Sequence, residues 1–251
     1  MKLIISKNAD EMAITAAKHA AAVLNAAIEE QGYARLLLST GASQLRFFDE
    51  FIKQDVKWHK VEVFHLDEYV GISPDHPASF NNYLNKRFVE KVLPGTIHLI
   101  NGLKDPFKTI EKLTELVREK EIDLGMIGIG ENAHIAFNDP PADFNDPRAY
   151  KITTLAPRCL EQQVGESWFK SVDDAYKQAI SMTCPEIMKC KHIISVVPYK
   201  VKAEAIFRTF SEDISEDVPA TLLKKHTDAT VYCDAESASL LTKELKAKYS
   251  E

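Results

Sequence analysis

Three short stretches of this 251-residue chain combine residue types that handle protons or anions. GIGENAHIAFNDP (Gly128 to Pro140) follows the apolar run DLGMI and holds His134, with Asn132 before it and Asp139 after it. An imidazole passes protons near neutrality, and a carboxylate a few positions on can turn back to fix its tautomer. In VEVFHLDEY the alternation puts Val61, Val63, His65 and Asp67 on one face, with Asp67 where the strand runs out. A carboxylate held there is partly desolvated, which raises its pKa and makes it a proton carrier. His65 reads as a packed strand histidine.

The third stretch, STGAS (Ser39, Thr40, Gly41, Ala42, Ser43), runs from a strand into a helix. Its backbone N–H groups and three hydroxyls can surround a phosphate, although it is neither a Walker A loop nor a G-x-G-x-x-G dinucleotide loop. Lys200 stands at another strand-to-helix junction, VVPYKVKAEAI, where an ammonium can reach an anion, while Lys202 and Lys191 read as solvated. Each feature also has a structural reading: a capped turn for STGAS and for the Asp67–Glu68 pair, a polar connection for the histidine loop. No H-E-x-x-H or close ligand pair accompanies His134, so no metal is expected.

These groups need elements to position them. Short apolar runs alternate with longer amphipathic segments, the pattern of a largely parallel sheet flanked by helices in one α/β domain over residues 1–251. Strands are expected at Leu3 to Ile5, Arg35 to Leu38, Val61 to Leu66, Asp123 to Ile127, His192 to Val197 and Thr230 to Cys233. The first helix starts at Asn8 with a capping-box pattern through Glu11 and stops at Gly32. Further helices are expected at Gln44 to Lys53, Ser79 to Val92, Pro106 to Glu119, Val201 to Phe210 and Ala235 to Lys248. The three polar stretches then fall at carboxyl ends of strands, where sheets of this kind bind ligands.

Composition narrows the classes. A net charge of −6, spread along the chain, gives no support to a nucleic-acid surface. No apolar run is long enough to cross a membrane, and the four cysteines form no C-x-x-C pair, as expected of reduced thiols in a cytoplasmic protein. A phosphate cradle, a strand-end carboxylate, a histidine with an acidic partner and a lysine on one rim suit a small phosphorylated sugar undergoing proton transfer beside a carbonyl.

The set S-T-G-A-S, L-D-E-Y-V-G with H-P-A-S-F, and G-I-G-E-N-A-H-I-A-F-N-D-P resembles the glucosamine-6-phosphate deaminase (isomerase) family over nearly the whole chain. The resemblance implies a Rossmann-like fold and conversion of glucosamine 6-phosphate to fructose 6-phosphate and ammonia without a cofactor. It assigns Asp67 the proton transfer between C2 and C1 through an enolamine-type intermediate. His134 would open the pyranose ring with Asp139 as its acidic partner, and Ser39 to Ser43 with Lys200 would bind the phosphate. A sugar phosphate is the partner it implies, with a homo-oligomer left open.

The chain departs from the family pattern at four positions. Asn132 replaces an aspartate of well-known members, Asp139 stands where glutamate is common, Ala133 where glycine is usual and Gln44 where proline is frequent. The family's phosphate-contacting arginine has no secure match, Arg158 being the nearest. Basic activator-site residues of hexameric members do not map onto Lys151, Ile152 and Thr153. Alternatives are a galactosamine-6-phosphate deaminase, a 6-phosphogluconolactonase and a non-catalytic sugar-phosphate-binding protein.

Overall fold

The structure, a computed structural model, describes residues 1–165 and 167–250. β1 (Lys2–Ser6) leads into α1 (Ala9–Gln31), whose Asn8 cap accepts from the Glu11 N–H at 2.9 Å. Gly32, at φ 85°, ends the helix in the left-handed conformation open to glycine. There follow β2 (Ala34–Leu38), α2 (Leu45–Phe51), β3 (Val61–His65), β4 (Asp67–Tyr69) and α3 (Phe80–Leu84). α3 continues through a π turn at Asn85–Val89 into α4 (Glu90–Val92). Then come β5 (Thr96–His98), α5 (Pro106–Arg118), β6 (Leu124–Ile127), β7 (Tyr150–Thr154), α6 (Pro157–Gly165), β8 (Gln178–Met182) and α7 (Cys184–Ile187). β9 (His192–Val197), α8 (Ala203–Ser211), β10 (Ala229–Asp234) and α9 (Lys243–Tyr249) complete the chain.

Seven strands form one parallel sheet in the order β1-β10-β9-β6-β2-β3-β5. Alternation along each strand feeds two cores. Leu36, Leu38, Val63, Ile194 and Val196 pack with α1 and α2, and Leu37, Phe64, Ile193 and Val197 pack on the opposite face with α5 and α8. The chain builds outward from β2 through β3 to β5, then restarts at β6 and runs through β9 to β10. The strand order therefore reverses between β2 and β6, where a crevice must open above the carboxyl ends.

A second, antiparallel sheet, β4-β8-β7, covers that end. The sequence reading of one largely parallel sheet holds for the main layer and misses this one, whose strands are short and lack a clean alternation. β5, α6 and α7 were also missed. The expected helix at Ala235 to Lys248 is corrected: residues 235–240 form turns held by Asp234 and Ser237, and only α9 is helical. Among the described residues no helix is long and apolar enough to cross a membrane.

Candidate active site

A cleft opens above the carboxyl ends of β2, β3, β6 and β9. Ser39, Thr40, Gly41 and Ser43 line it from the loop after β2, Asp67 from β4, and Gly128, Gly130 and His134 from the loop after β6. The three sequence stretches thus converge, because their strands are neighbours around the reversal point.

Asp67 is carried on β4 rather than at the tip of β3: the chain crosses Leu66 and enters the second sheet, where Asp67 pairs with Ser181. Only 6% exposed, its carboxyl is pushed up to about 8 by burial, with the charge of Glu68 adding to the effect. Glu68 points elsewhere. Its carboxylate accepts from the N–H groups of Tyr69, Phe80 and Asn81 and from the Ser79 hydroxyl, at 2.7 to 3.2 Å. It thereby fixes the HPASF segment and the start of α3; burial pushes it up to about 7 against those four bonds.

The His134 ring lies over Gly130, where any Cβ would coincide with ring atoms. Its Nδ1 is 2.6 Å from Asn132 Oδ1 and 3.3 Å from Asp139 Oδ1, and Asn132 Nδ2 donates to Asp139 at 3.0 Å. Burial raises the Asp139 carboxyl, but the bond and charge of His134, the Asn132 amide and the Ala156 N–H outweigh it and hold it below the ordinary carboxylate range. The loop is braced from beneath. Asn138 donates to the carbonyls of Ile135 and Met182, and Phe137 stacks on Phe80 at 5.8 Å. Ala133 sits at φ 65°, in the left-handed region that costs a non-glycine residue about 1 kcal/mol or more. The family's usual glycine at this position therefore has a backbone reason.

In the phosphate loop the Ser39 hydroxyl is buried at the cleft with no hydrogen-bond partner among the described residues. Gly41 adopts φ 109°, which few side-chain-bearing residues tolerate. Gln44, where proline is frequent, is buried and donates to the Val196 carbonyl at 3.1 Å, tying this loop to β9.

Lys200 and Lys202 exchange the places expected of them. Lys200 is exposed and outside the cleft, whereas Lys202 is 5% exposed and lines it, so the solvated reading of Lys202 is corrected. The chain leaves β9 with Tyr199 at φ 77°, its N–H held by Asp234, and enters a tight turn over Lys200–Lys202. At about three residues per turn, positions two apart point in different directions. A stop after the apolar strand does not reveal that turn. Arg158 also lies outside, 62% exposed and paired with Glu131 at 3.1 Å; Gln162 and Gln163 line the cleft instead.

His65 is buried, as a packed strand histidine should be, and burial pushes its imidazole down to about 3. The four cysteines are buried, and among the described residues none is in a disulfide.

The sequence profile of the family described as glucosamine-6-phosphate isomerases/6-phosphogluconolactonase matches residues 7–232. A glucosamine-6-phosphate deaminase of Oenococcus oeni is 35% identical over 215 residues, covering 85% of this chain and 89% of that protein. One from Geobacillus is 32% identical over the full length of both chains. A solved monomeric glucosamine-6-phosphate deaminase superposes with a TM-score of 0.87 at 30% identity, covering 96% of this chain and all of that one. A 6-phosphogluconolactonase of Trypanosoma brucei shares the fold, with a TM-score of 0.78 at 11% identity over 96% of this chain and 98% of that one. With the crevice at the strand reversal and a family match that spans almost its whole length, the chain belongs to the glucosamine-6-phosphate isomerase/6-phosphogluconolactonase family.

Proposed function

We propose that this chain is a cytoplasmic glucosamine-6-phosphate deaminase. The observation that carries the reading is the shared cleft: a buried carboxyl pushed up to about 8, a histidine bridged to an acid, and a hydroxyl-lined loop beside a buried lysine. The loop Ser39 to Ser43 and the Lys202 ammonium hold the phosphate, with the unpartnered Ser39 hydroxyl donating to it. His134 carries a proton between the sugar's anomeric hydroxyl and its ring oxygen, opening the pyranose, while Asp139 stabilises the imidazolium formed on the way.

Asp67 then takes the C2 proton. The C2–H electron pair moves into an enolamine, protonation at C1 gives the C2 imine of the ketose, and water adds at C2 as ammonia leaves. A carboxyl near 8 suits this work, being a far stronger base than an ordinary aspartate once ionised. The substrate ammonium beside it favours that ionised form.

Incubation with glucosamine 6-phosphate, galactosamine 6-phosphate and 6-phosphogluconolactone, with ammonia, ketose phosphate and acid measured, tests the reading. Ammonia and fructose 6-phosphate from the first are expected; acid from the lactone alone would overturn it. His134→Gln should slow ring opening above all, so the variant should depend more steeply on the supply of open-chain sugar than the parent does. The solved relative is monomeric, and light scattering on the purified chain reads its own state.

A further inference from the structure

The histidine loop has a neighbour that proton transfer does not use. Cys159, on α6, is buried, and its sulfur, one nitrogen of His134 and a carboxylate oxygen of Asp139 all lie within 4.8 Å of one another. We propose that His134, Asp139 and Cys159 form an inhibitory site for a thiophilic divalent cation, with zinc as the ion that fits best.

The donor set is mixed nitrogen, oxygen and sulfur, which suits a borderline-soft tetrahedral ion and suits magnesium or calcium poorly, since those take oxygen ligands. Ligand distances of about 2.0 to 2.3 Å around a tetrahedral zinc place neighbouring donors roughly 3.3 to 3.6 Å apart. His134 and Asp139 already stand at 3.3 Å, and closing the set needs Cys159 to move by at most about 1.5 Å. The fourth position is left to water, as in other three-ligand zinc sites, because Asn132 Oδ1, 2.6 Å from His134 Nδ1, stands too close to that nitrogen to share the ion.

Two of the three donors are braced independently of any ion. The His134 ring fills the space that Gly130 leaves by lacking a Cβ and is held by Asn132 Oδ1, and Asp139 is held by the Asn132 amide and the Ala156 N–H. Such preset donors lower the ordering cost of binding. On binding, the Cys159 thiol releases its proton to solvent, and the Nδ1 proton of His134 passes to Nε2 so that Nδ1 gives its lone pair to the ion. His134 can then no longer shuttle a proton to the sugar ring, so the bound ion inhibits. This last step rests on the proposed deaminase reading; the binding itself does not.

The test separates the two. Titrating the metal-free protein with cobalt(II) should give a thiolate-to-cobalt charge-transfer band that saturates at one equivalent and disappears on adding zinc. Cys159→Ser, with folding checked by circular dichroism, should lose the band while its metal-free ammonia release stays within about twofold of the parent. Zinc should inhibit the parent, with EDTA restoring activity, and losing a direct ligand should weaken that inhibition at least ~100-fold in Cys159→Ser. Rising glucosamine 6-phosphate should raise the zinc concentration needed in the parent.

No band, a band retained in Cys159→Ser, or equal zinc inhibition of both proteins would overturn the site. If Cys159→Ser does not fold, Asp139→Asn must weaken cobalt binding in its place, and undiminished binding there has the same force. Absence of ammonia with the band intact would instead count against the deaminase reading alone.

Discussion

Replacing Asp67 by asparagine should abolish deamination and at the same time make the fold more stable at high pH. The native carboxyl sits near 8 against an ordinary value of 3.8, so the folded chain keeps a proton that the unfolded chain has lost. A raised acid therefore leaves stability untouched below about pH 4, and erodes it as pH climbs to about 8, above which the loss is complete. At about 1.4 kcal/mol per unit, the upper limit of that cost is about 2 kcal/mol at pH 5 and about 5 kcal/mol at pH 8. Asparagine has a similar shape and does not ionise. The stability gap between the variant and the parent should thus widen between pH 5 and pH 8 by up to about 3 to 4 kcal/mol. Burying an amide in place of an acid can cost about 1–3 kcal/mol, but that offset is the same at both pH values. Urea unfolding of both proteins at pH 5, 6.5 and 8 reads the gap directly. A gap that does not change with pH would show that Asp67 is no buried titrating acid, and undiminished ammonia release would remove it as the base.

Four further substitutions probe the frame around it. Gly130→Ala drives a methyl into the His134 ring, so kcat should fall by about 100-fold or more and the melting temperature should drop, overpacking costing about 1–3 kcal/mol; steady-state kinetics and a thermal melt check both. Lys202→Met should lower kcat/KM by roughly 10- to 100-fold through weaker phosphate binding, whereas Lys200→Met, at an exposed position, should change it by less than about twofold; the reverse order would restore Lys200 to the site. Glu68→Gln leaves at least one of the donors from Tyr69, Ser79, Phe80 and Asn81 without an acceptor, a loss of about 1–3 kcal/mol that urea unfolding should read at pH 5; because Glu68 is itself a raised acid, the loss should shrink as pH climbs through about 7.

The parallel layer was legible because its strands are apolar runs separated by amphipathic helices, and a capping residue such as Asn8 or a stop such as Gly32 marks the joints. The positions of Ser39, Asp67 and His134 followed from the same pattern, since a polar cluster after a buried strand falls at the sheet's carboxyl edge. The small antiparallel sheet was not legible. β4 has only three residues and its partner β8 lies more than a hundred residues away, so its pairing is set by tertiary contact and not by local alternation. Lys202 was missed because a 3-10 turn, fixed by the unusual φ of Tyr199 and by Asp234 from another strand, decides which lysine turns inward. Cys159 was invisible as a neighbour of His134 for the same reason: the approach of α6 is a long-range fact.

Asn132 is the departure on which the histidine's behaviour turns, and the geometry gives it a definite part. Its amide has one end that accepts and one that donates. The donor end faces Asp139, an acceptor, so the oxygen end must face His134, where it takes the backbone N–H at 3.2 Å and lies 2.6 Å from Nδ1. A short contact between an amide oxygen and Nδ1 is attractive only if Nδ1 carries the proton. Asn132 therefore selects the Nδ1–H tautomer and leaves Nε2 with the lone pair that a proton shuttle needs. An aspartate at 132 would set a second carboxylate against Asp139 and could relieve the repulsion only by binding a proton or by holding one on the imidazole. With asparagine the triad carries a single negative charge, already stabilised by three donors, and the imidazole is free to give up the proton it takes from the sugar. The substitution removes one ionisable group from the relay while supplying the orientation that group would otherwise have to enforce.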